Sequence, residues 1–141
     1  MQYLPAAAGG ISSFSVTSDD LSRPVIAYAQ TSTGAVKFKK YDSGSWSSAT
    51  TLQTSGGFAP VISAVADNSK LSAFWFTGSA FVTKSYDGAA WDANTTTIIS
   101  STVGARFPSC DLISGGGFIQ CLHTSANVAP YVLTYSKVLI P

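Results

Sequence analysis

Apolar positions in this chain come in short runs, each closed by Gly, Ser, Asn or Asp. Ile11 to Val16 is followed by Pro24-Val25-Ile26-Ala27-Tyr28-Ala29, then by Val36-Lys37-Phe38-Lys39-Lys40. A second series runs Val61 to Val65, Leu71-Ser72-Ala73-Phe74-Trp75-Phe76, and Phe81-Val82-Thr83-Lys84. A third runs Cys110 to Ile113, Phe118-Ile119-Gln120-Cys121-Leu122-His123, and Tyr131-Val132-Leu133-Thr134-Tyr135. β-Branched and aromatic residues dominate these runs, which predicts strands joined by tight turns. No stretch carries an apolar period near 3.6 residues, so no helix longer than a turn is expected.

One phrase is written twice, 45 residues apart: Tyr41-Asp42-Ser43-Gly44-Ser45-Trp46 and Tyr86-Asp87-Gly88-Ala89-Ala90-Trp91. After each Trp comes a Thr-rich segment ending in small residues, Thr50 to Gly57 and Thr95 to Gly104. Each copy therefore holds four short strands, A to D. A period of this length with about four strands per unit is the arithmetic of a propeller blade.

The string from Pro24 to Trp46 resembles the repeats of bacterial and archaeal surface β-propellers, and more loosely the Asp-box repeats of sialidases. The resemblance spans residues 11 to 135. It implies that Asp42 and Asp87 are the box aspartates, accepting local backbone N–H groups, and that Trp46 and Trp91 are its closing aromatics, packed between sheets. All four would be landmarks of the fold and not catalytic groups. The third copy departs from the pattern, with Ser136-Lys137 where Asp-Gly should stand.

Counted this way the chain is a single all-β repeat domain, residues 1–141, of β-propeller-type blades. Residues 1–10 form an outer D strand, 11–57 the first blade, 58–105 the second and 106–141 an incomplete third. The N-terminal strand, Gln2 to Ala8, is expected to close the last blade beside a C strand ending near Tyr135. Propellers need about four or more blades to close a ring. Three blades leave apolar faces uncovered, so a homo-oligomer is expected: two chains closing a six-bladed ring, or a head-to-tail polymer.

Composition narrows the setting. Apolar residues make up 45% and charged residues 11%, under half the usual charged share of about 25%. Net charge is +1, and only Lys37, Lys39 and Lys40 cluster, along one strand. Nucleic-acid binding needs a broad basic face, so no nucleic-acid partner is expected. No apolar run approaches the 18 or so residues of a membrane helix. The first eight residues lack the charged start and long apolar stretch of a signal peptide. The Thr/Ser-rich, weakly charged surface nevertheless suits an extracellular or particle-surface protein, and Asn94-Thr95-Thr96 is a formal glycosylation sequon.

Cys110 and Cys121 flank Ser114-Gly115-Gly116-Gly117. With Gly115-Gly116 as a two-residue loop, positions whose numbers sum to 231 face each other and the two cysteines are directly opposed, near disulfide reach. A three-residue loop would set Cys110 against Leu122. A disulfide and a pair of buried thiols both remain open. With His123 the lone histidine and no Cys-x-x-Cys, no metal or other cofactor is expected.

Catalysis has little to work with. The chain has no Glu, and five of its seven aspartates (Asp19, Asp20, Asp42, Asp67 and Asp87) fall at expected turns. Glycoside hydrolysis usually needs two carboxylates about 5–9.5 Å apart. Arg23 and Arg106 are too few for a sialidase-type arginine cluster, and no nucleophile elbow accompanies His123. The expectation is a non-enzymatic protein. Its first reading is a binding module for glycans or a cell surface, with Tyr28 and Trp75 as aromatic candidates. Its alternative is a self-assembling structural subunit of a virion, filament or surface layer.

Overall fold

A computed structural model describes residues 9–64, 70–100, 109–113, 118–124 and 133–139. These form three antiparallel sheets, each cut from consecutive sequence. The first holds β1 (Ile11–Ser18), β2 (Pro24–Gln30), β3 (Val36–Asp42), β4 (Ser45–Trp46) and β5 (Thr50–Gln53), with β4 and β5 both paired to β3. The second runs in order through β6 (Phe58–Ala64), β7 (Leu71–Phe76), β8 (Ala80–Tyr86) and β9 (Thr96–Ser100). The third is β10 (Ser109–Ile113), β11 (Phe118–Thr124) and β12 (Leu133–Leu139). The described residues include no helix, and hence none long and apolar enough to cross a membrane.

The repeated phrase makes the same hairpin twice. Tyr41 pairs with Trp46, and Tyr86 with Trp91. One step further out, the Ser47 amide donates to Lys40 O at 2.8 Å and the Asp92 amide to Ser85 O at 2.9 Å. The side chains return the bond: Ser47 Oγ accepts the Lys40 amide at 3.1 Å, and Asp92 Oδ2 accepts the Ser85 amide at 2.9 Å. Ser47 and Asp92, also 45 residues apart, thus play one role with different chemistry. At the first tip, Ser43 and Gly44 both take positive φ, 48° and 86°, the pattern of a two-residue hairpin turn whose twist matches its strands.

The third copy, which departs from the box pattern in sequence, makes no box turn at Ser136-Lys137. Ser136 and Lys137 lie inside β12, paired with Cys121 and Gln120, so this strand runs on where the other two turn. Without Asp-Gly no positive-φ residue interrupts the extended chain. The expected N-terminal strand, residues 1–8, lies outside the described residues. Gly9 and Gly10 are described; their carbonyls accept the amides of Ser32 (3.2 Å) and Thr31 (3.3 Å) at the β2–β3 turn.

The core is laid between the sheets. Val25, Ala27, Val36, Phe38 and Leu52 of the first sheet meet Ile62, Leu71, Ala73, Trp75 and Val82 of the second. The opposite face of the second sheet carries another cluster, Phe74, Phe76 and Phe81, flanked by Ile98 and Ile99. Every residue of β7 is therefore buried, because the middle sheet is covered on both sides. The seam between first and second sheets is closed by backbone: Gly57 N donates to Gly34 O at 2.8 Å. Gly34 has φ 66°, and a Cβ there would stand 2.8 Å from the Gly56 nitrogen, so only glycine fits.

β1 reverses the usual alternation. It packs against β6, and Ser13 Oγ and Ser15 Oγ accept the amides of Ala59 and Ile62, both at 3.2 Å. The serines therefore point inward. Phe14 and Val16, on the other face, stand 65% and 56% exposed.

Candidate functional site

Tyr28 and Trp75 cannot receive a ligand. Trp75 is wholly enclosed, with its Nε1 donating to Gln53 Oε1 at 2.7 Å, and Tyr28 is 3% exposed. Burial pushes the Tyr28 phenol above its ordinary pKa. Both belong to the packing of central strands, where aromatic rings contribute most when fully desolvated. As binding residues they are corrected to core.

The box aspartates differ from one another. Asp87 Oδ1 accepts the amides of Ala90 at 2.7 Å and Ala89 at 2.8 Å, and these bonds hold its carboxyl below the usual carboxylate range. Asp42 instead accepts from the Ser43 hydroxyl at 3.4 Å and pairs with Arg23 at 3.4 Å. With Ser43 and Gly44 both in positive φ, the first turn is set by the backbone itself.

Asp19 does more than its place in a turn suggested. Its side chain is 1% exposed and receives Arg23 Nε and NH2, both at 2.8 Å, Lys40 Nζ at 3.2 Å, and the amides of Leu21 and Arg23. Burial alone would raise its pKa. The hydrogen bonds from Arg23 and Lys40 outweigh that and hold it below the ordinary carboxylate value. The cluster ties the β1–β2 turn to β3 and, through Arg23, to Asp42. Arg23 before a Pro at a strand start was visible in sequence; its convergence with Lys40 was not.

Trp46 and Trp91 hold equivalent registers and are each half-buried, less enclosed than the resemblance implied. Trp46 meets Tyr41 edge-on, ring centres 5.4 Å apart. Trp91 meets Tyr86 at 5.4 Å and also reaches Phe38 of the first sheet at 5.1 Å. Its Nε1 is buried without a hydrogen-bond partner among the described residues.

A groove of about 610 Å³ opens between the two sheets. Phe38, Tyr86 and Trp91 form its apolar base. Ser47, Ser48, Thr50 and Thr51 line one side, and Lys84, Asp92 and Ala93 the other. Lys84 Nζ is tied to Ala93 O at 3.0 Å, and Lys40, which also lines the groove, is tied to Asp19. Apolar rings bordered by hydroxyls, with Lys40 paired to Asp19 and with Lys84 and Asp92 each hydrogen-bonded to backbone, suit a polyhydroxylated ligand. Phe38 and Tyr86 were missed in the sequence because their meeting depends on how two sheets face each other.

Among the described residues no three His, Cys, Asp or Glu side chains gather as a metal site. In the third sheet the register sets Cys110 opposite Cys121, as the sum of 231 requires. Their side chains, like that of His123, lie outside the described residues, as does Arg106 altogether. No protein-family model matches the chain, and no curated protein matches its sequence.

Proposed function

We propose that the chain is a non-catalytic β-propeller-type module of an extracellular or particle surface, and that it binds glycans in the groove between its first two sheets. The observation that carries this reading is the aromatic floor of Phe38, Tyr86 and Trp91 beside a row of Ser and Thr hydroxyls. A sugar offers C–H faces to the rings and hydroxyls to the Ser and Thr rim. The blade reading is supported by three consecutive antiparallel sheets whose first strands lie together, β1 against β6 and β6 against β10. A Glu-free chain with Asp87 committed to its turn and Asp42 paired with Arg23 supports the absence of catalysis.

A screen of immobilised neutral and acidic glycans, followed by calorimetric titration of the hits, tests this. Binding that Trp91→Ala abolishes and that quenches tryptophan fluorescence is expected. Hits that survive Trp91→Ala, or no hit at all, would overturn it.

A further inference from the structure

The third sheet sets the two cysteines of the chain on adjacent strands as direct partners. Cys110 of β10 opposes Cys121 of β11 in the backbone register, between the pairs Ser109–Leu122 and Asp111–Gln120. A three-residue loop would have given Leu122 to Cys110; the register gives it to Ser109 instead. In an antiparallel ladder, directly opposed Cα atoms stand about 4.5 or 5.5 Å apart, according to whether the pair exchanges hydrogen bonds. Both separations fall within the span of about 4.4–6.8 Å that a disulfide bridges. Direct partners also share one face of a sheet. The chain has no third cysteine to compete for either thiol.

We propose that Cys110 and Cys121 form a cross-strand disulfide that staples β10 to β11. The bond forms by exchange with a low-molecular-weight disulfide. One cysteine thiolate attacks that disulfide, making a mixed disulfide and releasing one small thiol. The second thiolate then attacks the protein sulfur of the mixed disulfide, which forms the Cys110–Cys121 bond and expels the second small thiol. The chain gives up two electrons and two protons, and the small molecule carries them off as its two thiols. The new bond closes a loop over residues 111–120 and so restricts the unfolded chain. It braces the sheet in which β12 runs on through Ser136 and Lys137 without a box hairpin. A lasting disulfide suits an oxidising, extracellular setting. The inference stands apart from the glycan groove, which uses neither cysteine.

The full chain, refolded with a mixture of reduced and oxidised glutathione, tests it. The product is unfolded in excess alkylating reagent, with and without prior reduction, and mapped by mass spectrometry. Neither cysteine is expected to take the label before reduction and both after it, with a Cys110–Cys121 cross-linked peptide from a band of single-chain mass. Label on either cysteine before reduction overturns the proposal, as does glutathione left on either one. A reducible dimer, which would mean that the link runs between chains, overturns it too. The oxidised chain is also expected to melt roughly 5–10 °C above the reduced one. An oxidised chain that melts no higher overturns the staple even where the bond is found.

Discussion

The indole N–H of Trp75 donates to Gln53 Oε1 at 2.7 Å across the seam between the first and second sheets. A fully enclosed ring of the middle sheet is thereby anchored to the last strand of the sheet before it. Trp75→Ala is expected to cost about 3–5 kcal/mol, as for large aromatics in other cores. Trp75→Phe keeps most of the packing but strands the Gln53 oxygen, at a cost of about 1–2 kcal/mol that Gln53→Leu in the same chain should partly recover. Urea denaturation of the two single variants and the double variant measures the coupling. A coupling energy of zero would mean that the bond contributes nothing.

Asp19 makes stability depend on acid. Its folded pKa lies below its unfolded one, so its contribution is fully present above the unfolded value and is lost as pH falls through the folded value. Wild-type stability is therefore expected to decline below about pH 4. Asp19→Asn should flatten that decline while lowering stability at neutral pH by roughly 2–3 kcal/mol, since Arg23 and Lys40 lose their shared partner. Denaturation midpoints at several pH values decide it; an unchanged acid limb in Asp19→Asn would assign the decline to other carboxylates.

Gly57 is closed to any side chain. A Cβ there would collide with Val36 Cγ2 and stand 3.2 Å from both Gly34 O and Trp75 Cδ1. Gly57→Ala is expected to cost about 1–3 kcal/mol by overpacking. Gly44→Ala, where nothing lies within 4 Å, should cost about 1 kcal/mol through its φ of 86° alone. The ordering of the two variants in thermal melts is the check.

The two repeat tryptophans should respond differently to truncation. Trp91→Ala removes contacts with Phe38 and Tyr86 and is expected to cost about 3 kcal/mol. Trp46→Ala loses chiefly its contact with Tyr41 and should cost about half as much. Trp91→Phe discards a buried N–H that has no partner among the described residues, so it should be neutral or stabilising. A large loss of stability in Trp91→Phe would show that the indole N–H is satisfied after all.

Local chemistry alone determined the strands, the hairpins and the 45-residue equivalence, because turns and alternation are decided within a few residues. Tyr41–Trp46 and Tyr86–Trp91 pair alike, and the strand register opposes Cys110 to Cys121, the pairing whose numbers sum to 231. The same two letters, Asp and Trp, nevertheless meet different fates in the two copies. Asp87 caps its turn while Asp42 pairs with Arg23, because the residues that follow them differ and because Arg23 comes from the β1–β2 turn. Trp91 finds Phe38 because a sheet precedes its own, whereas Trp46 sits in the first sheet and, among the aromatic rings of the described residues, meets that of Tyr41 alone. The groove and the exposure of Phe14 and Val16 likewise belong to the tertiary structure. Each depends on which sheet faces which, and a repeated sequence cannot encode that difference within the repeat itself.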